Sequence, residues 1–306
     1  MQYAPIALFT YNRADHTQQV VESLLKNAEA KSSDLFIFSD GPKTPEKQKG
    51  VDDNRVYIHA VSGFKSVTII EREKNWGLAN SLIAGITEIV NKYGRVIVVE
   101  DDLILSPYFL QFMNEALEKY KDEDRVASIS AFLNPVEGDV PETFFLRYFA
   151  CWGWATWKRG WDILINDDRE LLRRLRWKKN DFNIGGTGPF YGILYCDKVG
   201  LNDSWAVRYY ASSFLANKLV LFPGKSLVLQ NGMDGTGTHS GDAPDLYNAV
   251  RLASSPVAVQ DIIVEESKDM YAAYSRYYRG NRKKTIRSEY NRFKSFVRRL
   301  IGIDYR

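Results

Sequence analysis

Along the first 120 residues, short apolar runs alternate with longer stretches whose apolar residues recur at helical spacing. The pattern predicts strands in APIALFTYN, DLFIFSDG, SVTIIERE and RVIVVE, and helices in DHTQQVVESLLKNA, VYIHAV, GLANSLIAGITEIVNKYG and SPYFLQFMNEALEKY. Asp15 and Ser106 are the expected N-caps of the first and last of these helices, and Gly94 closes the third. Because strands and helices alternate, we expect an α/β fold: a mostly parallel central sheet with helices on both faces.

The second half of the chain has a less regular pattern. FFLRYFACWGWATWKRGWD is rich in aromatic residues, FNIGGTGPFYG is rich in glycine, and LVLFPGKSLVLQNGMDGTGTHSG predicts a strand pair with a polar exit. We therefore expect a regular α/β half over residues 1–135 and a less regular lobe of the same domain over 136–265. A basic helical tail is expected over 266–306.

Polar side chains follow several of the predicted strands at the point where each strand ends. Thr10, Tyr11 and Arg13 follow the first strand, Asp40 ends the second, and the acidic triplet Glu100–Asp102 ends the fourth. Ligands of open α/β sheets bind at the carboxyl ends of the strands, so we expect a site here. Local roles stay open, since Arg13 could be a surface residue at a helix start and Asp40 a turn former.

The acidic triplet needs a compensating cation, because adjacent carboxylates repel one another beside a buried strand. Clustered carboxylate oxygens favour a hard divalent cation such as Mn²⁺ or Mg²⁺, which shares the phosphates of a substrate. The alternative is a solvated turn that happens to carry adjacent acids. Neither a P-loop nor a G-x-G-x-x-G motif follows the first strand. Metal and carboxylates would then handle a nucleoside diphosphate.

Composition narrows the class of protein. Cys151 and Cys196 are the only cysteines, too few for a disulfide framework or a zinc quartet, which favours a reducing compartment. The N-terminus does not resemble a signal peptide, and the sequence contains no apolar run of the roughly 20 residues that span a bilayer. We therefore expect a cytoplasmic protein.

Charge is unevenly distributed along the chain. Residues 271–306 contain 11 Lys or Arg and two acidic residues, so the remainder of this +3 chain is net acidic by six charges. An acidic body with a basic tail is not the pattern of a nucleic-acid binder. Apolar residues recur at helical spacing within the tail, which favours peripheral attachment to an anionic membrane on its inner face. The alternative is a helix docked on the protein itself or on a second subunit.

Four segments together resemble a known family. They are PIALFTYNRADHTQQVVESLL, FSDGP, EREKNWGLANSL and VVEDDLILSPYFLQFMNEAL. In order and spacing they are similar to GT-A-fold glycosyltransferases, especially the N-acetylglucosaminyltransferase I type and bacterial enzymes of surface-polysaccharide and lipopolysaccharide synthesis. The likeness is clear over about residues 5–131 and weaker to about 241. It implies a Rossmann-like GT-A sheet in the first half and an acceptor-binding lobe in the second.

The resemblance implies roles for the polar residues at the strand ends. The last acid of the triplet in this family binds Mn²⁺, a role that falls on Asp102, while Glu100 and Asp101 face the sugar and ribose. The family's strand-end arginine pairs with the nucleotide, which matches Arg13. The same likeness implies further nucleotide-binding residues. The family's aspartate at the end of the second strand reads the uracil, which matches Asp40, and Asn75 borders the nucleotide. Thr10 and Tyr11 belong to the first strand-end motif.

The second lobe supplies the remaining candidates. The resemblance places the general base on Asp203 in LNDSWAVRYY, although the match is inexact and an N-cap role is the alternative. His239 in GTHSG is a second candidate metal ligand. Trp152 and Trp154 are candidates for stacking on the acceptor or the donor sugar, with core packing as the alternative explanation for these residues and for Trp157.

The resemblance implies an inverting, metal-dependent transfer of a sugar from a nucleotide sugar, most simply a UDP-sugar, to a saccharide or lipid-linked saccharide acceptor. Two other functions stay open. A sugar-nucleotide nucleotidylyltransferase has a similar sheet, but its glycine-rich N-terminal loop is missing from this sequence. A catalytically inactive sugar-nucleotide-binding module would keep the fold without the chemistry.

Overall fold

A computed structural model describes residues 3–232 and 249–281. The strands are β1 (Ile6–Thr10), β2 (Asp34–Ser39), β3 (Ser66–Glu71), β4 (Arg95–Glu100), β5 (Leu103–Leu105), β6 (Val126–Ser130), β7 (Thr143–Leu146), β8 (Trp154–Trp157), β9 (Leu219–Pro223) and β10 (Val228–Gln230). The helices are α1 (Ala14–Leu25), α2 (Gln48–His59), α3 (Leu78–Tyr93), α4 (Phe109–Lys119), α5 (Lys158–Trp161), α6 (Asp168–Leu175), α7 (Lys179–Phe182), α8 (Phe190–Lys198) and α9 (Trp205–Leu215). Residues 268–281 are also helical.

Eight of the described strands form one sheet in the order β3-β2-β1-β4-β8-β6-β9-β7. The first four in this order are parallel, whereas β8 runs antiparallel to both of its neighbours, β4 and β6. Strand order reverses between β1 and β4, which is the switch point where open α/β sheets bind ligands. The mixed α/β architecture with a mostly parallel core confirms the predicted fold class.

The apolar pattern explains the core of the first half. Every residue of β1 is buried, and so are the four central residues of β4, as expected for strands covered on both faces. The rings of Phe9 and Phe38 stack at 4.9 Å between neighbouring strands. Helix α3 approaches these rings at Gly85, where an added Cβ would lie 2.8 Å from Phe9. A small residue is therefore required at this helix–sheet contact.

Aromatic residues build the core of the second half. Trp154 of β8 stacks on Trp205 of α9 at 5.4 Å, and Phe149 and Tyr209 contact the same indole. This cluster fixes the start of α9 against β8, because buried aromatic pairs contribute about 0.5–1.5 kcal/mol each beyond the area they bury. The aromatic residues of this less regular half thus pack directly on the shared sheet.

Several boundaries differ from the sequence prediction. Helix α2 begins at Gln48, well before the predicted VYIHAV segment, and α4 begins at Phe109 with Tyr108 as N-cap. Ser106 instead accepts a hydrogen bond from the Tyr108 N–H in the turn before α4. The N-cap of α1 is Arg13 rather than Asp15, whereas Gly94 closes α3 in the left-handed conformation as predicted.

The predicted strand pair in the second half is also different. β9 joins the large sheet, while β10 pairs antiparallel with β5 in a separate two-stranded ribbon. β5 follows the acidic triplet directly, and β10 leads to residue 232. The ribbon therefore connects two distant parts of the chain at the triplet.

Candidate functional site

Arg13 places one positive charge beside the acidic triplet. Its Nη2 lies 2.6 Å from Oδ1 of Asp101 and 3.4 Å from Oδ2 of Asp102. Arg13 stands between β1 and α1, and the triplet stands at the end of β4, which pairs with β1. The parallel register of these two strands brings the charges together at the switch point, as the sequence predicted.

One arginine does not neutralise three carboxylates. Burial raises the pKa of Glu100 well above its usual value, and the charges of Asp102 and Asp101 raise it further. Burial also raises the pKa of Asp101 to about 6, although the Arg13 guanidinium opposes the change. The site therefore has an excess of negative potential, and carboxylate oxygens are the ligands that a hard divalent cation prefers. The residues present fit Mn²⁺ or Mg²⁺.

Asp102 lies at the end of the β5–β10 ribbon, directly before β5. Its backbone oxygen accepts a hydrogen bond from the Asn231 N–H at 2.7 Å, and the Asn231 side chain donates to Gln19 of α1. An added Cβ on Gly232 would lie 2.6 Å from Oδ2 of Asp102 and 2.8 Å from its Cβ. The backbone at position 232 thus packs directly on the candidate metal ligand. Sequence reasoning missed this contact because it joins residues 130 positions apart.

No group of three His, Cys, Asp or Glu suited to a metal ion occurs within residues 3–232 and 249–281. His239 lies outside the described residues. A full protein cage is not needed, because Mg²⁺-type sites commonly use one or two carboxylates and complete their shell with water and substrate phosphates. Asp102 is the carboxylate whose side chain remains about one-fifth exposed at the switch point.

Asp40 holds the loop that precedes α3. Its Oδ1 accepts from the N–H groups of Gly41 and Trp76, and its Oδ2 accepts from the Gly77 N–H and from Asn75 Nδ2, all at 2.8–3.0 Å. The side chain is buried. Asp40 and Asn75 are thus brought together at the end of β2, with the carboxylate committed to four donors of the chain.

Thr10 and Tyr11 are anchored to α2 and to the loop before it. Thr10 is buried and its hydroxyl accepts a hydrogen bond from Asn54 Nδ2 at 3.1 Å, while the Tyr11 hydroxyl accepts from the Lys43 N–H at 3.0 Å. A depression of about 360 Å³ opens beside them at the start of α1, bordered by residues 12–16 and by Gly50 and Asp53 of α2. Sequence reasoning did not identify Asn54, because it lies within a mostly polar helix.

The tryptophans occupy different environments. Trp154 and Trp157 are buried, Trp154 without any exposed surface, so the predicted sugar stacking is wrong for Trp154 as placed in this structure. Trp152 is half-buried, with its ring at 4.6 Å from that of Phe132, and remains a candidate.

Cys151 lies near the triplet. Burial raises the pKa of its thiol, and the charge of Glu100 raises this pKa further. No local sequence pattern identifies Cys151 as a neighbour of the triplet.

Asp203 precedes α9 and forms an ion pair. The N-cap of α9 is Ser204, so the N-cap alternative does not apply to Asp203. Arg208 Nη2 donates to Asp203 Oδ1 at 2.7 Å, and the Asp203 side chain is 61% exposed. Trp205 stacks on Trp154, which pairs with Val98 near the end of β4. The start of α9 therefore faces the same edge of the sheet as the triplet.

Arg208 also contacts two further acids. Asp197 Oδ2 lies 3.6 Å and Asp168 Oδ1 lies 3.9 Å from its Nη1. Burial raises the pKa of Asp197 to about 6, although the Ser204 N–H donates to its carboxylate. Three acids therefore share one guanidinium here, and Asp203 makes the shortest contact with it.

Comparison with known proteins gives a family match. Residues 6–187 match the protein family described as Glycosyl transferase family 2. The chain is 26% identical over 182 residues to an alpha-1,3-mannosyl-glycoprotein 2-beta-N-acetylglucosaminyltransferase of Arabidopsis thaliana. That alignment covers 54% of this chain and 39% of the plant protein, so the chain matches about two fifths of that relative's length.

Two solved structures show weaker likeness. The mannosyltransferase PcManGT of Pyrobaculum calidifontis, in complex with GDP-Man and Mn²⁺, aligns with a TM-score of 0.36 and 11% identity over 70% of this chain and 75% of its own. A UDP-glucose pyrophosphorylase complexed with UDP-glucose aligns with a TM-score of 0.38 and 11% identity, over 72% and 90% respectively. The assignment rests on the family match, which extends over more than half of the chain.

Proposed function

The chain belongs to glycosyl transferase family 2, and from that premise we propose that it is a glycosyltransferase that uses a nucleotide sugar. The proposed reaction is an inverting, metal-dependent transfer from a UDP-sugar. The acceptor in this proposal is a saccharide or lipid-linked saccharide of surface-polysaccharide or lipopolysaccharide synthesis. The observation that carries it is the meeting of Arg13 with the acidic triplet at the switch point between β1 and β4. The sugar would be a hexose or an N-acetylhexosamine.

Donor binding is the task of the first half. Asp102 would hold the divalent cation, which, when bound, stabilises the negative charge of the departing diphosphate. Arg13 would pair with the nucleotide while its contact with Asp101 favours the ionised form of that carboxylate and orients it. Glu100 and Asp101 face the sugar and ribose in this proposal.

Uracil recognition would take place at the end of β2. Three of the four hydrogen bonds on Asp40 come from residues 75–77 and fix that segment, so Asn75 would border the nucleotide from a rigid position. Thr10 and Tyr11 line the same edge from β1. Asp40 therefore acts in this proposal through the loop that it holds beside the base.

Asp203 is the proposed general base. The acceptor hydroxyl loses its proton to the Asp203 carboxylate while its oxygen forms a bond to the anomeric carbon. The bond from that carbon to the diphosphate oxygen breaks, with inversion and an oxocarbenium-like transition state of the kind seen in glycoside hydrolysis. Arg208 orients the carboxylate. Should Asp203 fail this role, Asp234 and Asp242 are the next candidates, both outside the described residues.

A hydrolysis assay separates the proposal from its two alternatives. With Mn²⁺ and without acceptor, the glycosyltransferase should slowly convert a UDP-sugar into free sugar and UDP. A nucleotidylyltransferase would instead consume the UDP-sugar only when pyrophosphate is added, and an inactive module would bind it unchanged. Asp102→Ala should abolish Mn²⁺-dependent UDP binding by calorimetry, while the exposed Asp52→Ala should not. Unchanged affinity in Asp102→Ala would remove the metal assignment.

The proposed location is the cytoplasmic side of a membrane. None of the helices within the described residues is long and apolar enough to cross a bilayer. Attachment would come from the basic tail, whose residues from 282 onward lie outside the described part of the chain and carry nine Lys or Arg against two acids. Anionic lipid headgroups attract such a segment.

A further inference from the structure

A basic patch with an exposed tryptophan lies at the end of α6. We call it the Trp177 patch; it consists of Arg173, Arg174, Arg176, Trp177, Lys178 and Lys179. All six residues are exposed, and the Trp177 side chain is 85% exposed, the highest value among the large exposed apolar residues of the described chain. Residues 171–180 contain no acid. The patch therefore combines concentrated positive charge with a largely exposed indole.

Most of this charge is not used within the protein. Arg174 and Lys178 form no ion pair within residues 3–232 and 249–281, and Arg176 lies over the ring of Trp177 at 4.9 Å. Among the described residues, Arg173 alone of this patch has a carboxylate at ion-pair distance, Glu170 at 2.7 Å on the same helix. A single exposed apolar residue is common on protein surfaces, but a nearly bare indole among five cations suits a partner that is both anionic and partly apolar.

The patch lies at the end of a packed helix whose other end contacts the acceptor lobe. The apolar face of α6, formed by Leu171, Leu172 and Leu175, is buried. At the opposite end of the same helix, Asp168 lies 3.9 Å from Arg208, which holds Asp203. Eight helical residues span about 12 Å. The Trp177 patch is therefore a short, fixed distance from the proposed base.

We propose that the Trp177 patch docks on an anionic lipid surface. Indole rings prefer the headgroup region of a bilayer because they have an apolar body and a polar N–H, and Lys and Arg beside them meet the lipid phosphates. An anionic polymer without an apolar layer would satisfy the cations but leave the indole in water. Docking would hold the acceptor lobe at the membrane surface by a contact that is separate from the tail. This contact does not depend on which sugar the donor carries.

Sedimentation of the full chain with vesicles tests the proposal. The probes are vesicles of phosphatidylglycerol and phosphatidylcholine, with pure phosphatidylcholine vesicles and dextran sulfate as comparisons. The triple variant Arg174→Gln, Arg176→Gln, Lys178→Gln is matched in charge by Lys26→Gln, Lys31→Gln, Lys92→Gln, all exposed lysines elsewhere. Each basic residue near an anionic leaflet changes partitioning about fivefold, so the patch variant should bind about a hundredfold more weakly. The matched control should bind much more tightly than the patch variant.

Trp177→Ala provides a second test, because it removes the indole without changing the charge of the patch. It should weaken binding to anionic vesicles, keep the salt dependence of the wild type, and leave binding to dextran sulfate unchanged. The same measurements on a chain that lacks residues 282–306 should show the same dependence on the patch. Equal binding of the patch variant and its matched control, or wild-type binding by Trp177→Ala, would overturn the proposal. Hydrolysis of UDP-sugar in solution should be unchanged in every variant, so a failure of the proposed function would appear there separately.

Discussion

Replacing Asp40 by Asn measures what its four hydrogen bonds contribute. The carboxylate accepts two donors on each oxygen, whereas an amide keeps one oxygen and presents an NH₂ group to the other pair. Hydrogen bonds to a charged group contribute about 1.5–3 kcal/mol each, so two lost bonds amount to about 3–6 kcal/mol. Residues 75–77 are partly exposed and can turn to water, which lowers the expected loss in unfolding free energy to about 2–4 kcal/mol.

Urea denaturation followed by circular dichroism tests this magnitude, with calorimetric UDP binding on the same samples. Asp52→Asn is the matched control, since its exposed carboxylate accepts one bond, from Gln48 on the same helix, and its loss should change stability by less than about 0.5 kcal/mol. If Asp40→Asn unfolds at the wild-type urea concentration but binds UDP more weakly, the carboxylate acts only on the base. The loop-holding role would then be refuted.

Three further predictions concern the site and its neighbourhood. Gly232→Ala should displace the Asp102 carboxylate and lower the Mn²⁺-dependent affinity for UDP about 10–100-fold by calorimetry, with the metal-free affinity unchanged. Wild-type affinity in Mn²⁺ would show that this contact does not position Asp102. Asp203→Asn should lower turnover roughly 10²–10⁴-fold and leave donor affinity nearly unchanged, and near-normal transfer would place the base elsewhere. The pKa of Asp197 is raised to about 6, so its ionisation destabilises the fold as pH rises from about 4 through 6. In Asp197→Asn, the unfolding free energy should therefore fall less between pH 4 and 7 than in the wild type, and an identical pH dependence would contradict that assignment.

The first half of the sheet and the meeting of charges at its edge could be predicted from the sequence, because both depend on local signals. Each strand is a continuous apolar run that ends in polar residues, and parallel strands place those ends at one edge. From this alone, Arg13 and the acidic triplet are expected at the same edge of the sheet, and Nη2 of Arg13 lies 2.6 Å from Oδ1 of Asp101.

Other features depend on contacts that the local pattern does not contain. β5 has three residues, too few to show a period, and its partner β10 follows more than a hundred residues later. Helix α2 buries only Val51, Asn54 and Ile58, so its sequence is typical of a polar loop. The commitment of Asp40 to residues 75–77 is equally non-local, since a buried carboxylate finds its donors only when β2 and the loop after β3 come together.

The place of β8 in the sheet imposes an order on synthesis. β6 leaves the ribosome before β8, yet it joins β4 and the strands beyond only through β8, which lies between them. At roughly 5–20 residues per second, the chain between the end of β6 and the end of β8 takes about 1–5 s to make. During that interval β4 presents an unpaired, apolar edge, the kind of surface that joins the wrong partner. A fragment ending near residue 135 would keep that edge permanently, so expression of the first half alone should yield aggregates rather than a small folded domain.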